Sequence, residues 1–303
     1  MASDRPLLAV VTGPTGSGKT DLAIRLAQRL DTEIVSADSR QVFCDIPIGT
    51  AAPTREQLAA VPHHLVGFLG LDAYYSAALW ADDAIKALRR IWETRSVAVV
   101  CGGSMLYVDA LVNGLDNLPT VSDATRAHVL AIHSAEGIDG IVRLLREVDP
   151  GYLAVAPDLA NHKRLIHAAE VSLEAGRPYT SLLGASRQTR RPFDVVKFAI
   201  GLDRDTLFSR INARTDAMMA AGWEDEARRV YHLRHLNSLN TVGFKELFAM
   251  FDGTMPREIA IPRISKNTRV YAKKQLTWLR RDPSVVWLDP STDLLTQALD
   301  HLK

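Results

Sequence analysis

The sequence is short of cysteine, of long apolar runs and of net charge, and each shortage removes a class of protein. Its two cysteines, Cys44 and Cys101, form no CxxC pattern, so neither a zinc cluster nor a disulfide framework is indicated. No run approaches the roughly 20 apolar residues of a membrane span. Met1 to Pro6 leads into a short apolar stretch without the basic segment and longer apolar run of a secretory signal. A cytoplasmic protein in a reducing compartment, with no membrane partner, is the expectation. Thirty-six Lys and Arg against 35 Asp and Glu leave a formal charge of +1, which argues against a histone-like polycation but leaves room for a local basic surface that binds RNA. No internal repeat or low-complexity tract is present. What the chain does have is 303 residues, 47% of them hydrophobic, enough for one large domain or a main domain carrying a smaller one.

Leu7 to Thr12 is a β-branched run that meets a Gly-rich turn and then helical periodicity from Asp21 to Leu30, a strand–loop–helix pattern. Glu33–Ser36 and Val97–Cys101 read as further buried strands, and Ser76–Trp92 and Ser104–Val112 as helices. Strands alternating with helices predict an α/β fold: a P-loop NTPase-like parallel sheet core with helices on both faces. From about Leu118 to Arg191 the pattern changes to short helices separated by Pro150, Pro157 and Gly176-Arg177-Pro178, with no convincing strand. Val195–Leu202 restores a strand. Helices over Arg204–Ala221, Glu224–Leu236 and Pro262–Arg281, a strand over Val285–Leu288 and a short helix follow. The expected organisation is a core of residues 1–117 and 192–303 with a mostly helical insertion at 118–191.

Gly13-Pro14-Thr15-Gly16-Ser17-Gly18-Lys19-Thr20 fits the eight-position phosphate-loop pattern in full. Its glycines let the backbone curl so that successive N–H groups face phosphate oxygens, and the following helix adds its positive end. Lys19 supplies a point charge, and the Thr20 hydroxyl suits a Mg²⁺ ion. The loop calls for a polyphosphate but leaves open whether that is a nucleotide such as ATP or another pyrophosphate. A motor ATPase would normally show an Asp ending a later apolar strand; Val97–Cys101 runs into Gly102-Gly103 instead, which leaves small kinases and transferases. Asp38, just beyond the second strand, falls where strand ends open into the ligand crevice of a parallel sheet. From its position alone, a structural role as a helix cap or turn residue is as good a reading as a ligand-facing one.

At this point the sequence resembles the tRNA dimethylallyltransferases, also called tRNA isopentenyltransferases, through nearly its whole length. The resemblance is carried by GPTGSGKT (13–20), SADSRQVF (36–43), IGTAAP (48–53), PHHL (62–65), YSAA (75–78), GGSMLYVDAL (102–111), RINARTDAMMAAG (210–222), NTVGFKEL (240–247) and NTRVYAKKQLTWLRR (267–281). It implies Mg²⁺-dependent transfer of a dimethylallyl group from dimethylallyl diphosphate to N6 of the adenosine just 3′ of the anticodon, in tRNAs reading codons that start with U. Resemblance further implies that the phosphate loop grips the pyrophosphate, that Lys19 and Arg214 neutralise the leaving group, and that Asp38 is the general base. By the same resemblance the tRNA anticodon stem-loop is contacted by Asp38, Ser39, Arg40 and Gln41, by Ser104 and Arg126, by Lys163, Arg164, Leu165, Ile166 and His167, and by Asn240, Thr241, Val242, Gly243, Phe244 and Lys245. A monomer is the simplest expectation. The sequence departs from the family pattern at Phe43 (commonly Tyr), Cys44-Asp45-Ile46-Pro47 (commonly a Gly-Met-Asp stretch), Ala52 (commonly Lys), Ser104 (commonly Thr) and His167 (commonly Arg).

Arg263, Lys266, Arg269, Lys273, Lys274, Arg280 and Arg281 fall in one stretch without an acid, and Lys266, Arg269, Lys273 and Arg280 recur at helical spacing. Such a stripe neutralises phosphates, although a solvated helix face has the same spacing. His63-His64 would not ligate one metal together, because neighbours on a strand point to opposite faces. Tyr74, Tyr75 and Trp80 read as core or pocket wall. Two competing functions are a small-molecule or nucleotide kinase, which shares the loop and the strand-end Asp, and a nucleotide-gated RNA-binding protein, which needs neither Asp38 nor Arg214.

Overall fold

In a computed structural model of the chain, the described residues are 5–116, 118–155, 159–184 and 191–302. Two compact units emerge, Met1–Val112 with Arg191–Lys303, and Asn113–Arg190. Asn117 and Pro157, singled out above as a boundary and a helix separator, lie outside the described residues.

The first unit is built on a sheet of β1 (Leu7–Thr12), β2 (Ile34–Ser36), β3 (His63–His64), β4 (Val97–Gly102), β5 (Asp194–Ile200) and β6 (Val285–Leu288). Its order is β3-β2-β4-β1-β5-β6, and every pairing is parallel, with Leu7 opposite Val97 on one side and Asp194 on the other. Consecutive residues Leu8, Ala9, Val10 and Val11 are all fully buried. A strand buries both of its faces only when both faces of the sheet are covered, so the expected α/β layering is present. Ala9 and Val11 pack in the same core as Leu22, Ala23, Leu26 and Ala27 of α1 (Lys19–Arg29). At the sheet's far side α3 (Ala77–Trp92), capped by Ser76, buries Trp80, whose indole N–H donates to Ser36 O at 3.0 Å. The helices α2 (Arg55–Ala60) and α4 (Met105–Asn113) complete this half.

After β5 the chain forms α8 (Arg204–Ala220), α9 (Trp223–Val230), α10 (Phe244–Phe251), α11 (Arg257–Leu279) and α12 (Leu294–Asp300). Two expectations from periodicity are corrected here. The helix expected over Glu224–Leu236 ends at Val230 and tightens into 3₁₀ turns at Tyr231–Leu233 and Asn237–Leu239. The helix expected from Pro262 starts at Arg257, with Pro262 inside its second turn. Pro removes one backbone donor and usually ends a helix, but burial of Ala260 and Ile264 holds this turn in place.

The described part of the second unit contains helices only: α5 (Asp123–Val148), α6 (Pro150–Val155) and α7 (His162–Ala175), with a 3₁₀ turn at Tyr179–Leu182. Its helices are not all short; α5 runs 26 residues and bends at Gly137, whose φ of 64° is non-helical. Val129, Ile141, Leu145, Tyr152, Leu165, Ala168 and Ala169 give this unit a core of its own.

Candidate active site

The loop between β1 and α1 reaches its shape through Gly16 and Gly18, at φ of 82° and 90°, a region that other residues rarely adopt. Gly18 heads α1 without a side-chain cap, so the first-turn amides remain available to an anion. Ser17 is 1% exposed and its hydroxyl has no protein partner, as expected of a group kept for a ligand oxygen. On one side α8 lies against the loop: Ile211 sits where a side chain on Gly16 would go, and the Arg210 guanidinium donates to Ser17 O at 3.5 Å.

The carboxyl end of β2 faces this loop. Ala37 continues the pairing with β4, its N–H donating to Cys101 O at 2.8 Å, and the chain then turns away at Asp38. Oδ1 of Asp38 accepts from the N–H groups of Arg40 and Gln41 at 2.9 and 3.3 Å. The Ser39 N–H donates to the Ser104 hydroxyl at 2.8 Å, so the Thr-to-Ser departure keeps the atom that matters. Gln41 donates to Thr50 O and Ala51 O, and Arg40 donates to Asn237 O and Ser238 O. Asp38, the base implied by resemblance, thus holds the turn that follows β2, and its second oxygen is not needed for that turn.

A cavity of ≈ 560 Å³ connects these elements. Thr15, Lys19 and Thr20 line it from the loop, Asp38 to Gln41 from β2, Arg214 from α8, and Asn240, Thr241, Val242 and Lys245 from the segment that opens α10. Five cations (Lys19, Arg40, Arg214, Lys245, Lys274) face it against two acids, Asp38 and Glu246. Glu246 is engaged by Gly243 N–H and the Asn267 amide, which leaves the cavity strongly positive. Burial pushes the pKa values of Lys19, Arg40 and Arg214 down, and Asp38 pulls all three back up. The positive charge of Arg214 adds a further downward pull on Lys19. Crowded, partly dehydrated cations are relieved by a polyanion. An apolar wall of Ile211, Met218, Trp223 and Val242 borders the same space.

Twelve of the site residues named from sequence line this cavity; others do not. Phe244 is fully buried and packs edge-on against Trp223, so its side chain belongs to the core and not to a contact surface. Gly243 at φ 95° leaves room for Trp223, which a Cβ would strike at 2.0 Å. Arg126 and Lys163–His167 belong to the second unit. Leu165 is 1% exposed and packs in that unit's core, whereas Lys163, Arg164 and His167 are exposed on α7. Arg126 pairs with Glu170 at 3.8 Å. The two neighbouring histidines take separate partners: His63 Nδ1 pairs with Val61 O and His64 Nε2 with Glu33. Among the described residues no group of three or more His, Cys, Asp or Glu is placed to hold a metal. Tyr74 is 78% exposed, contrary to its reading as core or pocket wall, while Trp80 is core.

The IPP transferase family model matches residues 41–282. The chain belongs to the IPP transferase family. It is 46% identical over 295 residues to tRNA dimethylallyltransferase 1 of Phocaeicola vulgatus, covering 97% of each chain, and 47% identical over 286 residues to tRNA dimethylallyltransferase 2 of Porphyromonas gingivalis, covering 94% of this chain and 95% of the relative. Its structure is similar to that of the tRNA isopentenylpyrophosphate transferase of Bacillus halodurans (TM-score 0.71, 32% identity, 98% of this chain and 94% of the other). A eukaryotic dimethylallyltransferase acting on tRNA shares the fold (TM-score 0.79, 24% identity, 95% and 75%). The family model begins beyond the phosphate loop and Asp38, which are covered by the full-length relatives. Among the described residues no helix is long and apolar enough to cross a membrane.

Several cavity residues were not assigned to the site from sequence: Tyr271, Lys274 and Gln275 of α11, Asn267 one turn before them, and Trp223. All but Trp223 sit within a motif already quoted, NTRVYAKKQLTWLRR, so the signal was present without an assignment. Gly102 and Gly103 also find their reason. A Cβ on Gly102 would lie 2.1 Å from Ala37 O, and one on Gly103 would lie 2.5 Å from the Gln275 amide.

Proposed function

We propose that the chain is a tRNA dimethylallyltransferase, transferring the dimethylallyl group of dimethylallyl diphosphate to N6 of the adenosine 3′ of the anticodon, in tRNAs reading codons that start with U. The products are N6-dimethylallyladenosine and diphosphate. The observation that carries this reading is a cavity shared by the carboxylate of Asp38 and the cations Lys19 and Arg214. Base and leaving-group cradle face the same space, as a substitution at carbon requires.

Phosphate-loop amides, Lys19 and Arg214 hold the diphosphate, and charge grows on its bridging oxygen as the bond to the allylic carbon breaks; fixed cations act most strongly at that moment. The N6 lone pair is delocalised into adenine and is a poor nucleophile. Asp38 takes an N6 proton as the C–N bond forms, so the nitrogen ends neutral and diphosphate departs with the electron pair of the broken C–O bond. The adenine leaves its stack to enter this cavity. Hard oxygen donors suit Mg²⁺, and Thr20 and Asp38 both line the cavity. Thr20 would hold the ion together with diphosphate oxygens, and the ion would supply further charge to the leaving group.

On this reading residues 1–117 and 192–303 form the catalytic core, residues 118–191 contact the tRNA through Arg126, Lys163, Arg164 and His167, and the protein acts as a cytoplasmic monomer. Incubation with labelled dimethylallyl diphosphate and bulk tRNA tests it: label moves into RNA. Phosphoryl transfer from ATP without RNA would instead mark a kinase.

A further inference from the structure

Gln275 of α11 is 2% exposed, yet carries a primary amide. Burying such a group is unfavourable unless both its ends are bonded. Both are. Its Oε1 accepts from the Thr15 N–H at 3.0 Å, and its Nε2 donates to Gly103 O at 2.8 Å. The amide has one possible orientation, because the first partner only donates and the second only accepts. Three segments therefore converge on one side chain: the phosphate loop, the end of β4 and α11. Gly103 is a glycine for the same reason, since a Cβ there would sit 2.5 Å from Nε2 and 3.1 Å from Gly13 O.

Thr15 lies between Gly13 and Gly16, both at positive φ, in a stretch whose backbone is unusually free. A loop of that freedom binds an anion more tightly if something fixes it beforehand, because less ordering is left to be done on binding. We infer that Gln275 is a positioning residue for the diphosphate donor: by anchoring Thr15 N–H to the end of β4, it holds the phosphate loop in its binding shape before the donor arrives. Gln275 acts through the loop and takes no part in proton transfer. The inference rests on the function proposed above for the identity of the donor, but its physical content concerns any diphosphate held by the loop.

The test uses the full-length protein with three ligands, dimethylallyl diphosphate, inorganic diphosphate and tRNA, in Gln275→Ala and Gln275→Glu. Losing the pair of hydrogen bonds should raise Kd for both diphosphate ligands about 10-fold and leave tRNA Kd within about two-fold. Gln275→Glu keeps the volume and, while protonated, keeps both a donor and an acceptor. Its diphosphate affinity should approach that of the unsubstituted protein at about pH 5 and fall away from it toward pH 8 as the carboxyl loses its proton, whereas the deficit of Gln275→Ala stays constant. If Gln275→Ala does not fold, the pH series on Gln275→Glu decides alone. Unchanged diphosphate affinity, or equal losses for diphosphate and tRNA, overturns the inference and makes Gln275 a packing residue. Should the unsubstituted protein bind diphosphate with this dependence yet transfer no dimethylallyl group to tRNA, the proposed function fails and the role of Gln275 stands.

Discussion

Replacing Asp38 by Asn separates the two things this residue does. Oδ1 accepts from Arg40 N–H at 2.9 Å and Gln41 N–H at 3.3 Å, and the Asn carbonyl oxygen keeps both bonds, so the turn and the fold persist at a cost below about 1 kcal/mol. The charge and the proton affinity are lost. Positioned bases contribute about 10² to 10⁴ in rate, or about 3 to 5 kcal/mol of barrier, and the transfer step should slow by that amount. Donor binding should move the other way. Asp38 raises the pKa values of Lys19, Arg40 and Arg214 by its negative charge, and without it the cavity is more positive by one unit, so diphosphate affinity should be unchanged or tighter. Affinity for tRNA should weaken by about 1 to 2 kcal/mol, the worth of a hydrogen bond to a charged group reduced to a neutral one. Single-turnover transfer with donor and tRNA both saturating isolates chemistry from binding. A rate within a few-fold of the unsubstituted protein would refute the argument; Asp38 would then be the turn cap for residues 40 and 41, and the N6 proton would leave to water after the bond had formed.

Three further outcomes follow from the same site. Lys19→Ala should reduce turnover by about 10²-fold or more while tRNA Kd stays unchanged; undiminished use of the diphosphate donor would sink the loop assignment. Burial lowers the Lys19 pKa from 10.5, and since the ammonium form binds diphosphate, donor affinity should fall as pH rises through that lowered value, with Lys19→Arg moving the loss to higher pH. The stability linkage has the opposite sign, because the unfolded chain holds this proton more tightly and stability from Lys19 rises with pH over the same window; a donor affinity that stays flat up to the ordinary lysine value of 10.5 would contradict the burial argument. On α11, Arg269 and Lys273 lie 5.7 and 5.5 Å from the Phe208 ring centre, joined by Arg204 at 5.2 Å, and neutralising Lys266, Arg269 and Lys273 should flatten the salt dependence of tRNA binding by roughly 0.7 to 0.9 in slope for each RNA phosphate left without its cation. Equal slopes would make this stripe an ordinary solvated face.

The parallel core was legible because its strands are buried on both faces and read as continuous apolar runs, as Leu8–Val11 and Ala98–Val100 do. The phosphate loop was legible because function there is a backbone shape written in glycines. What failed was local. Pro262 looked like a helix start, since the rule for proline concerns the backbone donor it lacks, whereas the helix starts directly after another proline, Pro256, and runs through Pro262 with Ala260 and Ile264 buried on either side of it. Tyr74 looked like wall material because aromatic character predicts burial on average, and nothing in a sequence says on which side of a turn a ring emerges.

The site was harder to read for a different reason. Periodicity treats a polar residue on a helix as outward-facing, and the groups that hold this cavity in shape are polar residues that face inward. Glu226 stands in a first helical turn with Glu224 and Asp225, where acids are expected simply because they suit the helix dipole. Yet it is fully buried, its carboxylate accepts from Ile48 and Gly49 N–H at 2.8 and 2.7 Å, and burial pushes its pKa up. It fixes the segment whose Thr50 and Ala51 carbonyls orient the Gln41 amide, and Gln41 in turn donates its N–H to Asp38. Gln275 does the equivalent for the phosphate loop from a helix 260 residues away in sequence. In both cases the donor is a backbone N–H, which every residue but proline supplies, so the side chains of the donating residues carry no mark of the pairing. Resemblance named many of the side chains that line the cavity; the backbone shape that aims them is held by side chains whose role appears only when the chain is folded.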